Sequence, residues 1–493
     1  MEVATQSRGA SVGRYSAATQ CAALAAAAVA LSYGWSAWAR SKHSSVLQQE
    51  IAVLKSKLEL DAGQLRAIRD AMIEEMEAGL RERGRPMHML PTHVAQLPRE
   101  TDTGDAYAVD LGGTNLRVAR VVVREGRLEG EPTIEAREVP KHLLTEPVEH
   151  LFDFLAMALE RMIARHGDPS RPARVGFSFS FPMEQASVDS GILMYWTKGY
   201  ACAGAVGKDV VRLFSDALGR AGSTARVVCL VNDCLGPLVA ASEPGRPAAA
   251  GMIFGTGTNM AYMERRERVV KLEGGGRRGR SEGGMVINSE WANFFSETLP
   301  LVEEDVYVDA ASHNPGAGRF EKLTSGAFYG EVSRRLIARL QERAHIFGPG
   351  EGSPMLGGVG QGSLSAKEAS FACGDYSHDL SRVGLMVEGK FGVDKRRVGR
   401  KEREAVREVC RLAARRAGFV AAAGAAAVLK KIGWDGKTPA VLGVEGAFYH
   451  NTPLFAVTMR EGLNKLGCQK AELKPVSGGS VVGTALLAAT FPV

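Results

Sequence analysis

Ala106–Val123, AYAVDLGGTNLRVARVVV, reads as strand, glycine turn, strand. Leu116–Val123 is mostly apolar, and Gly112-Gly113 suits the positive φ of a tight hairpin turn. Asp110 before the glycines and Thr114-Asn115 after them add chemistry to the turn. Glycines let backbone N–H groups approach an anion, and the flanking hydroxyl and amide can donate to phosphate oxygens. The arrangement recurs at Ala250–Glu264, AGMIFGTGTNMAYME, around Gly255-Thr256-Gly257-Thr258-Asn259. Two related hairpins, each opening an α/β stretch, point to duplicated lobes whose cleft could grip a nucleotide's phosphates from both sides. This is not a Walker loop, because the chain has no GxxxxGK[ST].

Between the hairpins, Arg226–Cys234, RVVCLVNDC, is a short Val-rich run that ends in Asn232 and Asp233. It reads as a buried strand, beyond whose carboxyl end an open α/β sheet binds ligands and a partly desolvated carboxylate can serve as a general base. The alternative is structural: Asn232 or Asp233 would cap a helix over Leu235–Ala241. At 493 residues, 45% hydrophobic and 24% charged, the chain has the composition of a globular protein of two or three lobes. A net charge of +6 is modest for this length. The basic clusters Arg277–Arg280 and Lys395–Arg403 read as solvated surface rather than a nucleic-acid footprint. The seven cysteines show neither CxxC nor metal-ligand spacing, as expected of reduced cytosolic thiols.

At the N-terminus, Cys21–Ala39 (CAALAAAAVALSYGWSAWA) carries no charge and is followed by Arg40 and Lys42. Its length approaches the ~20 residues needed to cross a bilayer, and Tyr33, Trp35 and Trp38 fit an interfacial belt. A single-pass anchor, a cleaved transit peptide and a secretory signal compete. The anchor is favoured, because the run is longer than an amphipathic presequence needs, and the missing disulfide pattern argues against secretion. Ser44–Gly84 places Leu58, Leu60, Leu65, Ile68, Met72, Met76 and Leu80 at helical spacing, predicting one or two amphipathic helices.

With Val175–Tyr200, VGFSFSFPMEQASVDSGILMYWTKGY, the sequence resembles the hexokinase family, its plant members above all. VDLGGTNLRV, VGFSFSFPMEQ, WTKGY, LVNDC, GTGTNMAYME, MVINSEWANF, NPGAGRFEKLTSG and VGTALLAAT follow in family order from about residue 60 to the C-terminus. The resemblance implies an α/β fold of two actin-like (ribonuclease-H-like) lobes closing over a central cleft that takes hexose and MgATP. Its expected divisions are an anchor over residues 1–43, a helical lead-in over 44–98, and a small lobe over 99–234, completed by about 478–493. The large lobe is expected over 235–477. Ser180, Thr197, Lys198, Asn232, Asp233, Asn259, Glu290 and Glu321 match positions that hydrogen-bond the sugar, whose ring of hydroxyls suits carboxylates and amides. Asp233 matches the general base, and Lys198 is a cation that could offset developing charge. Asp110, Gly112, Gly113, Thr114, Asn115 and Arg117 match the first phosphate loop, Thr256, Gly257 and Thr258 the second, and Gly479 and Ser480 a third nucleotide pattern. No metal site is implied beyond the ion of MgATP. The implied address, by analogy with anchored plant members, is the cytosolic face of the mitochondrial outer membrane, with the plastid as the alternative.

The departures fall mostly on the adenosine side. Cys234 and Pro237 stand where the family has threonines, and Ala317-Gly318 follow NPG where polar residues are usual. D-G-G-L-Y becomes Glu445-Gly446-Ala447-Phe448-Tyr449. D-G-S-G-x-G becomes Gly478-Gly479-Ser480-Val481-Val482-Gly483, which sets valine where positive φ would suit glycine. The segment Phe347–Leu380 is glycine-rich, with Ser365-Ala366 in place of Arg-Thr. Two readings follow: an ATP-dependent hexose 6-kinase, and a hexokinase-like glucose sensor with weak or no turnover. The intact Asp233 and first glycine hairpin favour the kinase.

Overall fold

The computed structural model describes residues 44–113, 115–168, 171–272, 283–348, 356 and 362–492. The N-terminal segment, Thr114 and the Arg277–Arg280 cluster lie outside them. Residues 44–58 form helix α1, Ala62–Arg81 form α2 and Leu90–Pro91 form β1. The first repeat then runs β2 (Gly104–Leu111), β3 (Asn115–Arg124), β4 (Arg127–Leu128), β5 (Thr133–Glu138), α3 (Val148–His166) and β6 (Arg174–Phe179). It continues through the small hairpin of β7 (Met183–Ser187) and β8 (Ser190–Leu193) to α4 (Val210–Arg220) and β9 (Arg226–Val231). Helix α5 (Leu235–Ala241) crosses to the second repeat: β10 (Ala250–Phe254), β11 (Thr258–Arg265) and β12 (Gly284–Asn288), followed by six α-helices among the described residues. These are α6 (Glu303–Ala310), α7 (Arg319–Thr324), α8 (Gly326–Ala344), α9 (Ala366–Cys373), α10 (Ser381–Phe391) and α11 (Arg400–Lys431). The chain ends β13 (Ala440–Glu445), α12 (Ala447–Asn451), α13 (Phe455–Lys465), β14 (Ala471–Pro475) and α14 (Gly479–Ala488).

The two sheets repeat one topology. β2 runs antiparallel to β3, and β3 to β5, while β2 is parallel to β6 and β6 to β9. β10 stands in the same relation to β11, β12, β13 and β14. The two glycine hairpins therefore occupy equivalent places, each opening a sheet, as duplicated lobes require.

Strand parity explains how the first sheet is covered. Tyr107, Val109 and Leu111 face the core that holds α3 and α4, while Ala106 and Ala108 face a separate core shared with α5 and α14. That second core also takes Ala261 and Val286 from the other sheet, so it joins the lobes. Small residues let the helices approach: a side chain on Gly236 would overlap Ser480, and one on Gly483 would overlap the Gly236 carbonyl. α14 packs on β2, β3 and β6, and α5 packs on β10 and β13.

Two expectations need correction. Residues 44–98 are more than a lead-in. Leu58, Leu65, Ile68, Met72, Met76 and Leu80 are fully buried in the large core, α2 packs on α11, and β1 pairs with β12. The helical spacing marks the apolar face of these helices, but the elements it packs on are distant in the chain and leave no local signal. Nor do Gly112, Gly113, Gly255 or Gly257 adopt positive φ. Their missing side chains give room instead: a Cβ on Gly113 would lie 3.2 Å from Lys198 Cδ, and one on Gly257 would lie 2.7 Å from Glu321 Oε2. α11 is long and apolar enough to span a bilayer, but its apolar stretch is 94% buried, which marks it as a core helix.

Candidate active site

β9 delivers Asn232 and Asp233 to the cleft at its carboxyl end. The N-cap position of α5 is Cys234, which makes no side-chain cap of its own, and Asn232 Oδ1 accepts the Cys234 N–H just before the helix at 3.4 Å. Asn232 is buried and joined to the second lobe: Asn259 Nδ2 lies 3.2 Å from Asn232 Oδ1, 2.8 Å from Asn288 Oδ1 and 3.1 Å from Glu290 Oε1. Asn288 also donates to Glu290 Oε1 at 2.9 Å and accepts the Cys234 thiol at 3.6 Å. Glu290 follows β12 in the left-handed region, with φ of 52°, and its backbone N–H returns to Asn288 Oδ1 at 3.4 Å. Burial raises the Glu290 carboxyl above its ordinary range, against the hydrogen bonds from Asn288 and Asn259. The result is a row of amides and a carboxylate whose orientations are fixed by one another.

Glu321, on α7, approaches the second hairpin, where Thr258 N–H donates to its Oε2 at 3.2 Å. Thr258 in turn accepts Trp291 Nε1 at 2.9 Å, which ties that hairpin to the turn carrying Glu290. Burial raises the Glu321 carboxyl, while the Thr258 N–H and the Lys198 charge lower it. Lys198 belongs to the first lobe, so its influence on Glu321 reaches across the cleft. It is exposed, at φ of 57°, with Nζ 5.5 Å from the Phe181 ring centroid. Ser180 is buried just beyond β6, and Thr197 accepts the Tyr200 N–H on its carbonyl.

On the first hairpin, Asp110 follows Ala106 and Ala108 on the face shared with α14. It accepts Ser178 Oγ at 2.6 Å and faces Arg117 Nη1 at 3.5 Å. Burial lifts its carboxyl, opposed by Ser178 and Arg117. Gly112 and Gly113 are partly buried, while Asn115 and Thr256 are exposed on the two turns. Gly479 and Ser480 begin α14, and Ser480 N–H donates to Glu445 Oε2 at 2.7 Å. Gly478, not a valine, holds the positive φ there, at 63°. Val481 and Val482 lie inside the helix, so the expected steric conflict does not arise.

Three polar residues outside the expected set belong to this site. Asn288 is the last residue of β12 and shares the parity of Val286, which faces the core between the lobes. Ser178 is the β6 partner of Asp110 in the sheet register. Glu445 ends β13 beside Asp110, Arg117 and Asp233. Burial chiefly, then the Asp110 and Asp233 charges, push its carboxyl from 4.5 to about 7, against the Ser480 N–H and Arg117. Between those two pH values the folded state holds more protons than the unfolded one, so this group lowers stability as pH rises through that window. Glu445→Gln should flatten the fall, as read by denaturant unfolding at a series of pH values. An unchanged slope would show that Glu445 does not titrate there.

Two family models described as hexokinase match residues 50–242 and 249–490. Hexokinase-2 of Oryza sativa subsp. japonica is 38% identical over 456 residues, covering 88% of this chain and 90% of that protein. Hexokinase-3 of Arabidopsis thaliana is 36% identical over 463 residues, covering 89% and 91%. Among solved structures, the hexokinase of Schistosoma mansoni complexed with glucose matches at a TM-score of 0.76 and 30% identity, over 91% of this chain and all of that one.

Proposed function

The chain belongs to the hexokinase family of sugar-phosphorylating enzymes, and on that premise we propose that it transfers the γ-phosphoryl group of MgATP to the 6-hydroxyl of a hexose, glucose foremost. The observation that carries this reading is the Asn232–Asn259–Asn288–Glu290 network, which ties the end of β9, next to Asp233, to the second glycine hairpin and to the turn after β12. Its amides and carboxylates suit a ring of sugar hydroxyls, and a site so preorganised rejects analogues that leave buried polar groups unpaired. Asp233 takes the proton of the attacking hydroxyl. Lys198 faces the developing charge, and the turns at Gly112-Gly113 and Thr256–Thr258 hold the phosphates. Magnesium arrives with the nucleotide as part of the substrate. Most of the acceleration then comes from positioning and electrostatics.

A second reading, a glucose sensor with poor turnover, is favoured by Glu445, whose carboxylate occupies the Ser480 N–H in the first turn of α14, in a segment that resembles a nucleotide-binding pattern. A coupled assay of ADP release, run with glucose, fructose and mannose in turn, separates the two. The kinase reading expects hexose-dependent ADP release that is largest with glucose. A glucose-induced rise in melting temperature without ADP release from any of the sugars would instead establish the sensor.

We also propose that Cys21–Ala39 anchors the protein to the mitochondrial outer membrane with the lobes in the cytosol. The uncharged run and its flanking cations support this. Deleting Met1–Lys42 should release the protein from membranes in a fractionation experiment without changing its sugar affinity. Membrane retention of the truncated form would overturn the anchor.

A further inference from the structure

Glu445 sits where the lobes meet the start of α14. Its carboxylate is seated against Gly479, where a Cβ would lie 3.0 Å from Oε2, and it accepts the Ser480 N–H at 2.7 Å. The charged groups that act on it come from three separate strands of the first sheet: Asp110 of β2, Arg117 of β3 and Asp233 after β9. Asp110 and Asp233 repel it, and Arg117 attracts it. Three carboxylates therefore converge at the place that must admit a polyanion. A backbone N–H at a helix start serves one strong acceptor at a time. A donor phosphate that reaches Ser480 takes that N–H from Glu445, and every negative charge left nearby opposes it.

We propose that Glu445 sets the affinity for the phosphoryl donor, acting as an internal stand-in for a phosphate that the nucleotide must displace. The inference rests on the kinase reading and on Gly479 and Ser480 as nucleotide contacts. Glu445 is an affinity-determining residue rather than a catalytic one, since the sugar network and Asp233 are assembled without it. The carboxyl already titrates near neutrality because it is buried among these charges. Bringing phosphates closer raises it further, so donor binding draws a proton onto Glu445.

The test is calorimetric titration of the full chain with MgADP, glucose present, for wild type, Glu445→Gln and Glu445→Asp. It is repeated in buffers of different ionisation enthalpy and accompanied by KM for MgATP. Glu445→Gln keeps the shape and removes the charge. It is expected to bind MgADP about fivefold tighter, to lower KM by a similar factor with a smaller change in kcat, and to abolish the proton uptake seen in wild type. Glu445→Asp, which withdraws the carboxylate by one methylene, should fall between the two. Equal or weaker binding in Glu445→Gln would overturn the proposal alone, because it would mean that the carboxylate assists the nucleotide or is indifferent to it. Unchanged proton uptake in the variant would also overturn it. Absence of MgADP binding in all three proteins would overturn the donor reading itself, and the proposal with it.

Discussion

Asp233→Ala is expected to lower hexose phosphorylation by about a thousandfold while leaving glucose able to raise the melting temperature. The residue stands at the carboxyl end of β9, partly buried, where α5 begins. Removing the carboxylate takes away the proton acceptor for the attacking hydroxyl. It does not dismantle the sugar network, because Asn232, Asn259, Asn288 and Glu290 hold one another through their own hydrogen bonds. Steady-state kcat and the glucose-induced thermal shift, measured on the same preparation, read the two effects separately. Turnover near the wild-type rate would remove Asp233 from the role of base. Loss of the thermal shift together with activity would mean that the variant had lost the sugar site as a whole.

The second large effect is expected at the crossing of α5 and α14. A methyl group on Gly483 would overlap the backbone of Gly236, which has no flexible end to move aside. Gly483→Ala should therefore force the helices apart and cost about 3 kcal/mol, the upper range for overpacking a tight core. α5 begins two residues after Asp233, so the displacement should also carry the base away from the sugar network and lower kcat. Denaturant unfolding and kinetics of the same variant test both consequences. Unchanged stability would mean that this crossing is looser than the glycines indicate. A stability loss with kcat intact would show that α5 does not fix the position of Asp233.

Those effects trace to a segment whose role was only partly legible in the chain. The hairpins around Gly112-Gly113 and Gly255–Gly257 announced the repeats because their signal is local, an apolar run on each side of a glycine turn. The glycines serve a purpose other than the positive φ their place in a hairpin suggests: Gly113 and Gly257 make room for Lys198 and Glu321, contacts that close only when distant segments fold together. The burial of α2 and the pairing of β1 with β12 have the same long-range origin. Asn288 and Ser178 could have been found. Asn288 shares the β12 parity of Val286, and Ser178 lies opposite Asp110 once β2 and β6 are paired. Glu445 showed itself only as a departure from the family pattern, and its contact with Ser480 depends on how β13 and α14 approach in space.

The most direct test of phosphoryl transfer in this cleft is phosphorus NMR of the reaction itself, with the full chain, glucose and MgATP in one tube. Glucose 6-phosphate and ADP should appear in equal amounts, and both should be absent when Asp233→Ala replaces the wild type. ADP accumulating without a sugar phosphate, or a spectrum of unreacted ATP from protein that binds glucose, would contradict the account.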